Sequence, residues 1–337
     1  MTMKKTQYIR ISVLSVIVFA ACASAEEFAQ TTAVKQSSMT QGFGLAALPA
    51  LHRAGGASQA NVGSLLLGRV CVDCAVTTAK QGSNLQITGE RVSLSISADA
   101  TAADFRDLTV ETRSHSLAKS FAGKMSSAAL EKAGRAFISS KLAGVIALGQ
   151  DEELVPVLTD YRVEGLQDLS TGVVTRSVAA NRVVFGRTLK GIPVVGNGST
   201  VVVTFANDGS VESFHYDWPK YEAAASQSLV NPSTLLARVQ QVVSAHSGVA
   251  PAFTAKVPNV VEASRPVDLN TDTKLQSMQC GYYDAGAAAG HASVQPGCVY
   301  HAVYESSSGI RQGYAGAVPG GVQFESDAKW VETQIVK

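Results

Sequence analysis

The sequence predicts an α+β protein, and three observations carry that prediction. Residues 181–218 read as a β-meander with two turns. Two stretches, from Ser126 to Leu148 and from Asn231 to Gly248, place apolar residues at helical spacing behind a capping residue. Further strand-like pairs follow the second helix, so helices and antiparallel strands are segregated rather than alternating.

Along the chain, residues 26–60 are rich in Ala, Ser, Gly and Gln with weak periodicity and are expected to form a flexible lead-in. Residues 61–120 form a small β-rich unit. Val92, Leu94 and Ile96 share one face there, and Asp107-Leu108-Thr109-Val110 is a further strand. In the first helix, Ser126 or Ser127 is the cap, with Glu131 in capping-box range. Leu130, Ala133, Phe137 and Leu142 make its stripe and Gly149 closes it. A strand over residues 154–163 follows, interrupted by Pro156.

In the meander, Val183 and Phe185 point one way and Val184 the other, as on a half-buried strand. Lys190-Gly191-Ile192-Pro193 breaks it, because Pro193 has no N–H and belongs at a strand start or edge. Gly196-Asn197-Gly198 supplies a tight turn. Thr200 to Phe205 is dense in β-branched residues and reads as a central strand. Asn207-Asp208-Gly209 signals a hairpin, with Val211, Ser213 and His215 alternating with Glu212, Phe214 and Tyr216 on the return. Asn231 then caps the second helix, Pro232 takes its first position, and Leu235, Leu236, Val239, Val242 and Val243 form its stripe. Residues 299–303 and 310–317 read as paired strands, Val322 and Phe324 as a last short one, and Trp330 as its seal.

The first 25 residues are expected to be a signal peptide. Lys4, Lys5 and Arg10 precede an apolar run of 11 residues from Ile11 to Ala21, too short to span a bilayer comfortably. Ala23-Ser24-Ala25 fits a cleavage site before Glu26. A second reading treats Phe19-Ala20-Ala21-Cys22 as a lipobox that lipidates Cys22 and anchors the chain to a membrane. Either way the protein is exported, periplasmic or extracellular. Removing the three basic residues leaves 25 Lys+Arg against 27 Asp+Glu, so no basic field attracts nucleic acid.

Cys71, Cys74, Cys280 and Cys298 remain after ordinary cleavage, an even count that favours disulfides in an oxidising compartment. A Cys280–Cys298 bond closes a Gly/Ala-rich loop, for roughly 3 kcal/mol. Cys71-Val72-Asp73-Cys74 sits in a strand-like context, which favours a structural disulfide over a redox pair, a metal half-site or another pairing.

Three features of residues 126–218 resemble the fungalysin/thermolysin propeptide domain. They are the Ala-rich helix AALEKAGRAF, the phrase FGRTLKGIPVVGNGSTVVVTF and the hairpin NDGSVESF. Lys190, Gly191, Ile192, Pro193, Val194 and Gly196 sit on the family's K-G-[IV]-P-V-[FYV]-G turn. Residues 231–324 are similar to the PepSY-type domain that often follows. The resemblance implies cystatin-like antiparallel sheets each packed on a helix, with a propeptide-like domain over 121–222 and a PepSY-like domain over 228–337. In that family the segment assists folding of a downstream zinc metalloprotease and inhibits it. Here no HExxH is present, and no two of the six histidines have the spacing of a zinc helix.

No pattern assigns chemistry. His291 and His301 flank Cys298, with Asp284 nearby, but the spacing is loose for a metal or a Cys-His pair. His215-Tyr216-Asp217-Trp218 reads as a strand end with an aromatic cover rather than a polar site. Asp151, Glu152 and Glu153 read as a solvated acidic loop, and Ser306-Ser307-Ser308-Gly309 as a turn. No catalytic, cofactor-binding or metal-binding residue is assigned. The expected function is a non-enzymatic protein-binding module, an inhibitor or folding chaperone acting in trans on an exported peptidase. It would bind through a strand edge or the concave sheet face, with Lys190, Gly191, Ile192, Pro193, Val194 and Val195 as contact surface. The alternatives are a cell-envelope or matrix protein reusing the fold, and a small-molecule binder using the concavity.

Overall fold

The computed structural model describes residues 47–118, 120, 124–167, 173–245, 272–287, 293–305, 311–322 and 331–335. The signal peptide, Cys22, His246, Gly248, His291, residues 306–309, Phe324 and Trp330 lie outside them.

The lead-in ends earlier than expected. Strand β1 (Ala47–Ala54) and helix α1 (Gln59–Val70) occupy its last part and the start of the β-rich unit. Ser58 caps α1 by accepting from the Asn61 amide. Glycines at 63 and 68 weaken the helical signal, but Gly63 lets α1 pack closely on β3, where a Cβ would lie 2.7 Å from Cδ1 of Ile87 and that side chain would have to shift. Strands β2 (Val76–Gln81), β3 (Asn84–Gly89), β4 (Val92–Ile96) and β5 (Ala102–Asp107) follow. Val92, Leu94 and Ile96 are fully buried on one face, as read. Leu108 to Val110 is no strand. The Asp107 carboxylate accepts from the amides of Thr109 and Val110 and so caps helix α2 (Leu108–Ser114).

Helix α3 (Ser127–Lys141) starts where the sequence places it, with Ser126 accepting from the Ala129 amide. Glu131 forms no capping box. It lies beyond the third helical position and pairs instead with Arg135 at 3.1 Å, one turn on. The helix stops at Lys141, well before Gly149, and Gly144 takes the left-handed conformation just past its end (φ 91°).

The meander forms as β7 (Val174–Leu189), β8 (Ile192–Gly196), β9 (Thr200–Ala206) and β10 (Val211–Asp217), preceded by β6 (Glu152–Gln167). Two details differ from expectation. Strand β7 is buried on both faces, with Val183 and Phe185 at 0% exposure and Val184 at 6%. Gly196-Asn197-Gly198 is no reversal: β8 and β9 run in the same direction along the same side of β7. The register steps from Arg187↔Val194 to Phe185↔Val201, so the segment between them inserts five extra residues.

That insertion splits the sheet. Beyond it, β9 pairs with β10, which continues through β5, β4 and β3 to β2. Before it, β8 pairs in parallel with β12 (Asp272–Asp284). Next to β12 comes β13 (Ser293–Glu305), paired with β14 (Arg311–Pro319), which carries β15 (Val331–Ile335). Strand β1 closes the open side by pairing with both β11 (Lys220–Ser228) and β13. The predicted pairing of residues 299–303 with 310–317 is present.

Helix α1 packs on β3 and β4, and α3 packs on β6 and β7. One apolar core runs beneath them from Leu94 and Phe105 to Phe185 and Phe214, so it crosses the expected boundary at 120/121. Helix α4 (Pro232–Ala245) covers β12, β13 and β14. Its Asn231 cap accepts from the Thr234 amide at 2.8 Å. Leu235 and Val239 are fully buried, whereas Leu236 is 39% exposed, so the stripe is narrower than read.

Candidate functional site

Where the sheet splits, three charged side chains meet in the interior. Arg53 comes from β1, Asp217 from the end of β10 and Asp284 from the end of β12. In the ladders Asp217 stands opposite Thr200 and Asp284 beside Gly196, so the two carboxylates flank the inserted segment. Their side chains are 5% and 1% exposed, and that of Arg53 is 5% exposed.

Geometry explains how such burial is tolerated. Nη1 of Arg53 donates to both Asp284 oxygens at 2.7 Å. Nη2 donates to Asp217 Oδ1 at 2.5 Å and to Thr101 Oγ1 at 3.2 Å. The remaining carboxylate positions accept from Gly286 N, Ala287 N and the Tyr221 hydroxyl, at 2.9, 2.6 and 2.5 Å. Ser199, at a left-handed φ of 54°, shares a 2.6 Å hydrogen bond with Tyr221. Gly198 is obligatory, because a Cβ there would fall on the Asp284 carboxylate.

Beside this cluster Arg187 lies between the rings of Trp218 and Tyr221, 4.9 Å from each centroid. It donates to Pro219 O at 2.7 Å and pairs with Glu152. Glu152 is therefore no solvated loop residue; it begins β6 and neutralises a buried guanidinium.

Electrostatics follow from burial. Burial opposes charge on Arg53, but Asp217 and Asp284 outweigh it and hold the guanidinium protonated. Burial pushes the Asp217 carboxyl up, helped by Asp284 and opposed by Arg53 and the Ala287 amide. Burial and then Asp284 raise the Tyr221 hydroxyl well above its ordinary value, so it stays a donor. Asp99 is pulled down despite its burial, through hydrogen bonds from Ser97 and Thr101.

The arrangement cross-links β1, β10 and β12. Ser199 is 0% exposed, so no substrate reaches it as a nucleophile. Among the described residues, no group of three or more His, Cys, Asp or Glu could hold a metal ion.

The residues singled out from sequence fall elsewhere. Ile192, Val194 and Val195 are 8%, 7% and 5% exposed, because β8 lies between β7 and β12 and is no edge. Ile192 and Val194 pack on Leu48 and Leu51 of β1. Only Lys190 and Gly191 of that group are exposed, at the hairpin tip. Cys280 and Cys298 form a disulfide between directly opposed residues of β12 and β13. Asp284 belongs to the Arg53 cluster, and Cys298 is in the disulfide. Cys71 and Cys74 are also bonded, but at the C-terminal end of α1 rather than in a strand. A redox CxxC draws its low thiol pKa from a helix N-terminus, which this position lacks. Asp217 is no simple strand end, and Arg53 was hidden in the lead-in.

A second feature extends out from the core. Residues 163–167 of β6 pair with 174–178 of β7, past Ala180, the last β7 residue paired with β9; Val178 at its base is fully buried and residues 174–176 are exposed. They form a two-stranded arm bearing Val163, Val173 and Val174 at 44%, 60% and 52% exposure. Among the described residues β6 pairs with β7 alone. Nearer its start the outer edge of β6 is blunted: Leu154 O accepts from Arg135 at 3.1 Å, and Pro156 offers no amide.

Fold and site thus define a mixed α/β protein on one branched, mostly antiparallel sheet, locked by a buried charge cluster. No family model matches the chain, and no curated protein matches it. Among the described residues no helix is long and apolar enough to cross a membrane.

Proposed function

We propose that this chain is a non-enzymatic, exported protein-binding module that acts in trans on a peptidase, as inhibitor or folding chaperone. The observation that supports binding is the β6–β7 arm. A two-stranded ribbon is marginal in water, and this one exposes three valines beside an open strand edge. Such an edge can take an extended segment of a partner as a further strand, with Val163 and Val174 as apolar anchors. The peptidase partner, the cystatin-like description and the PepSY-like second half rest on the resemblance of residues 126–218 and 231–324 to propeptide modules. Two disulfides are compatible with the exported reading.

The test titrates the protein against a mature fungalysin- or thermolysin-type metalloprotease, measuring inhibition and recovery of activity after refolding. Val163→Lys/Val174→Lys is expected to abolish the effect while leaving thermal stability unchanged. Neither inhibition nor refolding assistance from the unaltered protein sinks the proposal. Attachment of a lipid to Cys22, read from the mass of the mature N-terminus, would favour the cell-envelope alternative.

A further inference from the structure

The Arg53 cluster holds one cation and two carboxylates in a dry junction. With every group ionised it carries one uncompensated negative charge, where the surrounding dielectric makes such a charge costly. One proton removes the imbalance. We propose that the Arg53–Asp217–Asp284 cluster is a proton-loaded latch: with one proton aboard it is neutral and seats strand β1 across the split sheet, and proton loss at higher pH loosens β1.

Every neighbour of the cluster bears on this. From β1 comes Arg53, with His52 exposed beside it on the same strand. Residues between β4 and β5 supply Thr101 and, behind it, Asp99. On β10, buried Tyr216 adjoins Asp217. Strand β11 supplies Tyr221, and β12 supplies Tyr283 and Asp284. Arg187 of β7 stacks on Tyr221 with its charge already matched by Glu152. Among the described residues Arg53 is therefore the sole cation paired with Asp217 or Asp284.

The sign follows from Asp217. Burial, the largest cause, raises the proton affinity of Asp217 above that of a hydrated carboxyl, and when β1 lifts, the entry of water outweighs the loss of the opposing Arg53. Its contribution is thus complete below the ordinary carboxylate range and is lost as pH rises through the elevated folded value. Asp99, shifted the other way, acts only below that range, so the two effects do not overlap. Acid tightens the latch, the reverse of what breaking an ion pair would do. Loosening is local to β1, because Arg53 is the only one of the three charges that β1 contributes.

Hydrogen exchange read by mass spectrometry tests this on the full exported chain, across pH 4.5 to 8.5 and corrected for intrinsic rates. Protection of residues 47–54 is expected to fall by about tenfold per pH unit above the shifted value, the slope for release of one proton. Protection of β9 should not change with it. Asp217→Asn and Asp284→Asn, which remove the excess charge, should each flatten the β1 profile and preserve protection at pH 8. Arg53→Met should lower β1 protection at both ends of the range. Should Arg53→Met fail to fold, the unaltered protein and the two Asn variants still decide. A β1 profile that is flat or rises with pH in the unaltered protein overturns the proposal. So do Asn variants that keep the original slope, or that lose β1 protection as Arg53→Met does.

Discussion

Helices α3 and α4 each lie on antiparallel strands, but the two layers are held by different means. Beneath α1 and α3, the described residues include 22 buried apolar side chains in one cluster. The rings of Phe105 and Phe214 stack there at 4.9 Å, with Phe137 at 5.6 Å from Phe214. Beneath α4 the corresponding cluster numbers nine among the described residues, and two of those are Cys280 and Cys298. The larger layer's one disulfide, Cys71–Cys74, closes only a local turn at the end of α1, whereas the smaller layer has a covalent cross-link between adjacent strands. A layer that buries less apolar surface gains less from water exclusion, and restraining the unfolded chain offsets part of the deficit.

The contrast can be broken at several points. The largest effect is expected from Phe185→Ala in the large layer. Phe185 is fully buried against Gly134 of α3, and the lost burial plus the cavity should cost about 3–5 kcal/mol in denaturant unfolding. A similar figure measured for a partly exposed residue such as Leu236 would refute the ranking by burial. Next comes replacement of both Cys280 and Cys298 by Ser. The closed loop spans a sequence separation of 18 residues, for about 3 kcal/mol. The loss should concentrate in amide protection of α4, β12 and β13 while α3 stays protected; a uniform loss would mean that the two layers unfold as one. The smallest effects belong to the caps. Ser126→Ala and Asn231→Ala should each cost about 1 kcal/mol. Asn231 also accepts from both Ser233 and Thr234 hydroxyls and should be the more costly of the pair.

The same contrast governs what was legible in the sequence. Alternation located Val92, Leu94 and Ile96, and likewise Phe214 and Tyr216, because burial there follows the pleat of a single strand. The Ser126 and Asn231 caps were legible because a cap is local. The disulfide between β12 and β13 was legible as a pair, though the direct opposition of its residues was not. The Arg53 cluster was hidden for the opposite reason. Alternation puts Asp217 on the half-exposed face with Ser213 and His215, and only β1 and β12 cover it. Those partners stand 164 and 67 positions away in a sequence that marks neither. Gly196-Asn197-Gly198 misled in a related way: residues that permit a reversal also permit an insertion, and the neighbouring strands decide which forms. The exposed edge was sought at Lys190 to Val195 because the turn is conspicuous there, yet β12 covers β8, and among the described residues the strands paired on one side only are β2, β6, β11 and β15.

The position of β1 has a consequence for the order of assembly. Among the described residues, the earliest strand to leave the ribosome needs β11 and β13 as neighbours, and its arginine needs an aspartate 231 residues further on. Closing so long a span is entropically costly and must wait for the strands between. Pulse labelling during refolding should therefore protect the amides of 200–206 before those of 47–54; simultaneous protection would refute this order. The earliest of the described strands is then the last to be seated, and until it is, the position between β11 and β13 stays vacant.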